Sequence, residues 1–353
     1  MNQQGTRTFW RPGLAAALAL SALAAWAQFK AAAPTGQVIQ PRGVIASNHR
    51  TVAIAFMPDG KSVWLAYGNE AELWDLETGE SKLHLQYHSS DRPDFHMGAI
   101  YSIALSPNGK TMASGAQRGE LKFWDPETGK ITAAGDLRSG DIVSIAWSPD
   151  GKVLAAAQSF TASVVKLVDP ASGSVTATLE VSKNTGIKHV IYSPDGKLLA
   201  TAPNDTGNTV KLFNAKTGVL VKTLAIPERA TGRGYQDVSG IAFSPDSRTL
   251  ATGGAHTGFL IDVATGRIRA TLPHEERENH EDQVQAVAFS PDGKLVATAC
   301  LDGTAKLWIA ATGKLVATLK GQYAFSIIAF SPDGKTVVVG ASESTKVYDV
   351  PEK

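Results

Sequence analysis

Short apolar runs, each cut off by a polar cluster holding Pro, Gly or Asp, recur along almost the whole chain. The stretch from Val284 to Leu319 shows the pattern. Val284 to Phe289 is rich in β-forming residues and reads as a strand, which Ser290-Pro291-Asp292-Gly293 then stops. Proline cannot donate to a sheet ladder, and its fixed φ suits the second position of a tight turn. Gly293 supplies the left-handed residue that a type I turn followed by a bulge requires. Leu295 to Cys300 is a second strand, Asp302-Gly303 a turn, and Thr304 to Trp308 a third strand. Thr312-Gly313 and Leu315 to Leu319 complete a four-stranded antiparallel meander.

The phrase FSPDGK that begins at Phe289 has close variants at Phe56, Leu105, Trp147, Tyr192, Phe243 and Phe330, at spacings of 41 to 51 residues. A period on that scale marks a repeat architecture, with each repeat one supersecondary unit. The turn before the fourth strand gives an independent count. It reads Thr78-Gly79, Thr128-Gly129, Ser172-Gly173, Thr217-Gly218, Thr265-Gly266 and Thr312-Gly313, with a seventh copy, Thr35-Gly36, near the start.

The second strands are apolar and small throughout: Met112 to Ala116, Val153 to Ala157, Leu198 to Ala202, Leu250 to Gly254. A strand wetted on one face would alternate with polar residues, so these strands are covered on both faces. Four-stranded units stacked face to face and closed into a ring make an all-β, seven-bladed β-propeller. The chain ends just after the third strand of its last repeat, so an N-terminal strand must close the ring. The Thr35-Gly36 position predicts that Gln37 to Gln40 pairs with the strand around Lys346 to Tyr348.

The sixth repeat closely resembles the WD-repeat propeller family, and the resemblance extends over roughly residues 35 to 350. That family's repeat runs from a His before the first strand, through an SPDG turn, to an Asp-Gly turn and a closing Trp-Asp. Here His280 stands nine residues before Phe289, followed by Asp302-Gly303 and Trp308. The resemblance implies a hydrogen-bonded tetrad of His280, Thr298, Asp302 and Trp308. His96, Ser114 and Trp124-Asp125 partly repeat it, but Arg118 sits where the Asp would be. Trp74-Asp75 keeps the closing pair, whereas Val168-Asp169, Phe213-Asn214, Ile261-Asp262 and Tyr348-Asp349 are degenerate. SPDG turns also occur in exported propellers similar to the Tol-system protein.

Charge removes one partner class. With 34 Lys and Arg against 33 Asp and Glu, the chain lacks the basic footprint of a nucleic-acid binder. The N-terminus reads as an address: Arg7 and Arg11 precede an apolar run from Leu14 to Trp26, with small residues at Ala25 and Ala27. Residues 1–27 are expected to direct export and be removed, leaving 28–353 as one propeller, periplasmic or secreted, with no membrane insertion. The single cysteine, Cys300, allows no internal disulfide and fits a core position.

Candidate chemistry is sparse. The stretch HEERENHED, His274 to Asp282, crowds His with carboxylates but matches no zinc spacing, and reads as a solvated acidic loop. His84 and His88 lie in another connection. No GxSxG, P-loop or HExxH is present, so no catalytic residue, metal or cofactor is assigned. The connections Leu85 to Gly98, Ile226 to Asp237 and Pro273 to Asp282 are long, and the turns around Phe160 and Asp205 are extended. The resemblance implies that all of them emerge on one face. Phe95, Arg118, Phe160, Arg233, Tyr235 and Tyr323 lie in such segments and have the chemistry of binding anchors. The sequence thus points to a non-catalytic binder of another protein or peptide, as a monomer or a subunit of a larger complex. The competing expectations are a hydrolase- or lactonase-like site in the central funnel, and a Tol-like envelope subunit.

Overall fold

The computed structural model describes residues 36–46, 49–85, 98–138, 140–159, 163–182, 185–203, 208–227, 238–274, 283–321 and 324–352. They form seven sheets, and every sheet is built around a four-stranded antiparallel meander. Blade one runs through Ala53–Phe56, Ser62–Tyr67, Glu70–Asp75 and Ser81–Leu85. Blades two to six follow in chain order with first strands Ile100–Leu105, Asp141–Trp147, Ile187–Tyr192, Ile241–Phe243 and Val284–Phe289. Blade seven has Phe325–Phe330, Thr336–Ala341 and Ser344–Asp349 as its inner three. Each first strand neighbours the first strand of the next blade, and Phe325–Phe330 returns to Ala53–Phe56, so the ring is closed.

Burial explains the apolar second strands. Ser62–Tyr67, Leu154–Ser159, Leu295–Cys300 and Thr336–Ala341 are buried at every residue. The core is divided into seven wedges, each shared by two adjacent blades. One of them joins Ala297, Ala299, Leu307 and Leu319 of blade six to Phe325, Val337 and Tyr348 of blade seven. Another joins Trp64, Leu73 and Leu85 of blade one to Ile100, Met112 and Trp124 of blade two.

The repeated phrase has a structural reason beyond its own turn. Within blade six, Ser290 Oγ donates to Asp292 Oδ1 at 2.7 Å and accepts from Leu295 N at 2.9 Å, while Gly293 takes φ 69°. Successive turns also stack around the ring, glycine over proline. A Cβ on Gly109 would lie 2.3 Å from Cγ of Pro58 in the preceding blade. Gly60 stands over Pro332 in the same way, across the point where the ring closes. In the FSPDSR variant Ser247 takes the glycine place at φ 62°, and its hydroxyl accepts from Asp195 N of blade four at 3.0 Å.

The closing strand differs from the expected one. Gly43–Ala46, not Gln37 to Gln40, completes blade seven, pairing antiparallel with Ser344–Asp349 in the register Gly43↔Val347 and Ala46↔Ser344. Gln37–Ile39 instead adds a fifth strand to blade six, parallel to Leu315–Lys320. Pro41 lies between the two segments, and Arg42 N resumes the hydrogen bonding at Val347 O, 2.8 Å away. Gly36 donates its N–H to Val316 O at 3.1 Å, so it leads into the added strand of blade six rather than into a blade's fourth strand.

Candidate functional site

Three of the four expected tetrad residues meet in blade six. Trp308 Nε1 donates to Thr298 Oγ1 at 2.9 Å, and Thr298 Oγ1 lies 2.7 Å from an imidazole Nε2. That imidazole belongs to His274, not to His280, which lies outside the described residues. His274 follows the fourth strand of blade five directly, and His274 N donates to His256 O at 2.8 Å. Counting back nine residues from Phe289 stops short of this histidine, because the connection is longer than the family's spacing assumes. His274 Nδ1 lies 3.4 Å from Asp302 Oδ2 and 3.1 Å from Thr304 Oγ1. Assigning the proton to Nδ1 leaves Nε2 to accept from Thr298 and satisfies each group.

Blade two keeps part of this arrangement, with Trp124 Nε1 donating to Ser114 Oγ at 2.7 Å; His96 is outside the described residues. Blade one replaces it, and Trp74 Nε1 donates to the buried Glu72 at 2.9 Å. Cys300 is fully buried beside His274 and Asp302. Those three offer ligand-type atoms within 4.8 Å, yet both imidazole nitrogens already serve the tetrad. The cluster is a structural latch in a core.

Burial alone would push the Asp302 carboxyl up, but hydrogen bonds from His274 and Thr304 outweigh it and hold the group down at about 2. Its ordinary value is 3.8, so this stabilisation is complete above about pH 4 and is lost as the pH falls to 2. Asp302→Asn is therefore expected to flatten the fall in melting temperature between pH 4 and 2 relative to the parent. A parent whose melting temperature is constant across that interval would contradict the assignment.

A second device was not read from the sequence. Lys306 Nζ donates to Pro273 O at 3.1 Å and Lys211 Nζ to Val181 O at 2.8 Å. Lys166 Nζ donates likewise to Leu137 O. In each case a third-strand lysine reaches a carbonyl at the end of the preceding blade's fourth strand. Burial lowers the Lys166 ammonium from the usual lysine range, and Asp136 partly offsets this. The signal was present as VKLVD, VKLFN and AKLWI, whose shared Lys is easily taken for a solvated charge.

The inner strands line the ring's centre and satisfy one another across the seams. Ile145 N donates to Ser102 Oγ at 3.2 Å, Val190 N to Ser144 Oγ at 3.1 Å, and His189 Nε2 to Ser239 O at 2.6 Å. Gly240 lies so near blade six that a Cβ there would meet Gln285 O at 2.9 Å. Each of these polar contacts joins the inner strand of one blade to a neighbouring blade through a backbone N–H or C=O.

The face at which second strands end and first strands begin has a different character. Of five non-glycine residues with positive φ among the described residues, Arg118, Asn208 and His256 lie in its second-to-third strand turns. Arg138 lies in a connection between blades two and three on the same face, and only Ser247 lies on the opposite one. Backbone held in this region is costly for residues such as arginine and gathers at binding and catalytic sites. Arg118 is exposed at φ 61°, held by Arg118 N donating to Asp141 Oδ1 at 3.0 Å. Beside it, Gln117 Nε2 donates to Tyr101 OH at 3.0 Å. Of the expected anchors, Arg118 is placed on this face, while Phe95, Phe160, Arg233, Tyr235 and Tyr323 lie outside the described residues.

Residues 93–125, 173–214, 227–259, 272–308 and 313–349 match the family described as WD domain, G-beta repeat, and together they cover just over half the chain. Among curated proteins, the chain is 38% identical over 71 residues to the target of rapamycin complex subunit wat1 of Schizosaccharomyces pombe, covering 20% of this chain and 22% of that protein. It is 27% identical over 130 residues to the small ribosomal subunit protein RACK1y of Oryza sativa subsp. japonica, with 36% and 37% covered. Against the small ribosomal subunit protein RACK1 of Caenorhabditis elegans the values are 29% over 117 residues, with 33% and 35% covered. The matched stretches thus span less than two fifths of each of these relatives.

Proposed function

Because the chain belongs to the WD domain, G-beta repeat family, we propose that it is a non-catalytic scaffold whose loop face binds another protein or peptide. The observation that carries this reading is the gathering of left-handed, non-glycine residues on that face, around Arg118, on a rigid ring. Binding would bury the loop aromatics Phe95, Phe160, Tyr235 and Tyr323, with Arg118 and Arg233 at the rim, and would use no cofactor. The relatives' names place one in a target of rapamycin complex and two in the small ribosomal subunit, and membership of a larger assembly is the part of that reading carried over here. The N-terminal run from Leu14 to Trp26 supports action after export, with residues 1–27 as the signal.

The test is crosslinking in intact cells with the full chain tagged at its C-terminus, followed by mass spectrometry of each cell fraction. A variant combining Phe95→Ala, Arg118→Ala, Arg233→Ala and Tyr235→Ala serves as the comparison. One protein captured by the parent at near-stoichiometric yield and lost from the variant is the expected result. Equal capture by both would remove the loop face from the reading, and recovery of uncleaved protein from the cytoplasm would remove export.

A further inference from the structure

The outer strands of blades one to five have no strand on their outer edge among the described residues, which makes their solvent-facing side chains informative. Bare edges invite pairing with other chains, and charged or polar residues normally discourage it. The first and third residues after the Thr/Ser-Gly turn show this protection. They are Glu80 and Lys82 in blade one, Lys130 and Thr132 in blade two, Ser174 and Thr176 in blade three, and Arg267 and Arg269 in blade five. Blade four has Val219 and Val221 instead, with Leu220 between them. Their exposures are 61%, 57% and 49%. Three consecutive exposed apolar residues on an open edge are a liability unless something uses them.

Blade six shows what can use such an edge. Its outer strand begins Leu315-Val316-Ala317-Thr318-Leu319, almost the Leu220-Val221-Lys222-Thr223-Leu224 of blade four. Val316 corresponds to Val221, and it lies under the parallel strand Gln37–Ile39, with Gly36 N donating to its carbonyl at 3.1 Å. The one lysine within the blade-four strand does not guard it: Lys222 Nζ is turned to Ala264 O of blade five. Charge indicates the partner's sign. The turn leading into this strand reads Asn214-Ala215-Lys216, where blade one has Asp75-Leu76-Glu77 and blade two Asp125-Pro126-Glu127. Lys216 is exposed at the end where a parallel strand would begin.

We propose that the outer edge of blade four is a β-augmentation site for an extended segment of another protein. The segment carries acidic residues followed by an apolar stretch and adds parallel to Leu220–Ala225. Main-chain hydrogen bonds hold it, Val219 and Val221 provide apolar contact, and Lys216 meets its acidic end. This is a different surface from the loop face, and it stands or falls separately.

The probe is a labelled peptide of two glutamates followed by the sequence of Gly36 to Gln40, titrated into the full chain by fluorescence anisotropy. Three comparisons define the site: V219S/V221T, which installs blade three's own pair; K216E; and the same peptide N-methylated at its valine and isoleucine. Saturable binding is expected, weakened at least tenfold by V219S/V221T and by N-methylation, and several-fold by K216E. Equal affinity for parent and V219S/V221T, or no saturable binding, would overturn the site. Sedimentation of the two proteins alone closes the remaining route. Self-association of the parent that V219S/V221T abolishes would assign the edge to a second copy and overturn the proposal of a foreign segment.

Discussion

Replacing His274 by alanine is expected to lower the unfolding free energy by about 3 kcal/mol, whereas His280→Ala should change it by no more than about 0.5 kcal/mol. His274 is the centre of a chain in which Trp308, Thr298, Thr304 and Asp302 are each satisfied by a neighbour, and all but the half-buried Thr304 lie in the interior. Removing the imidazole leaves Asp302 Oδ2 and the Thr298 hydroxyl proton buried without the partner that His274 supplies, although Thr304 still donates to Asp302 Oδ1, and a buried group stripped of its partner costs more than the bond itself was worth. It also empties the space against which the Trp308 ring stands edge-on, at 6.2 Å between centroids. Urea unfolding of the two variants beside the parent measures both values. A loss on His280→Ala equal to that on His274→Ala would mean that the tetrad has been assigned to the wrong histidine.

The two histidines illustrate what the sequence could and could not convey. Features set by local chemistry were readable: the Ser-Pro-Asp-Gly stops, the Thr-Gly turns and the unbroken apolar second strands fix seven blades without reference to any contact between them. Features that depend on the length of a connection were not. A nine-residue offset from Phe289 selects His280, but the functional imidazole keeps its distance from the preceding strand, so an extended connection displaces the count. The same logic misplaced the closing strand. Thr35-Gly36 has the composition of the blade turn, yet Gly36 pairs with blade six, and the closing strand begins only after Pro41. The third-strand lysines were legible as a repeat but not as partners, because their acceptors are carbonyls of the preceding blade. Side-chain identity carries no trace of which carbonyl lies opposite. For the loop face, composition points to the long connections, whereas the left-handed backbone at Arg118 and Arg138 is set by the fold and leaves no mark in residue type.

The largest single effect is expected at the closing strand, from Ile45→Asp. Ile45 is 5% exposed and sits with Val63, Leu65, Trp74, Val338 and Val347 in the wedge shared by blades seven and one. An aspartate there must be buried without a partner or drag Gly43–Ala46 away from Ser344–Asp349, and either route costs about 4 kcal/mol or more. Detaching the strand also exposes the edge of Ser344–Asp349 and the side of blade one, because Gly43–Ala46 is joined to blade seven by strand pairing and side-chain packing and not by chain order. Truncation separates closure from the added strand of blade six. A chain beginning at Arg42 keeps the Arg42 N to Val347 O bond and the 3.3 Å pair with Asp349, and loses the parallel pairing of Gln37–Ile39, the Gly36 N to Val316 O bond and the packing of Ile39. It is expected to unfold cooperatively, within about 1–2 kcal/mol of a chain beginning at Gln28. A chain beginning at Asn48 lacks the closing strand and is expected to lose that cooperative transition, or to aggregate through the open edge. If the chains beginning at Arg42 and Asn48 melted alike, Gly43–Ala46 would not be what closes the ring. If the Arg42 chain failed as badly as the Asn48 chain, the fifth strand on blade six would be part of the closure, because two successive N-terminal strands bridge blades six and seven.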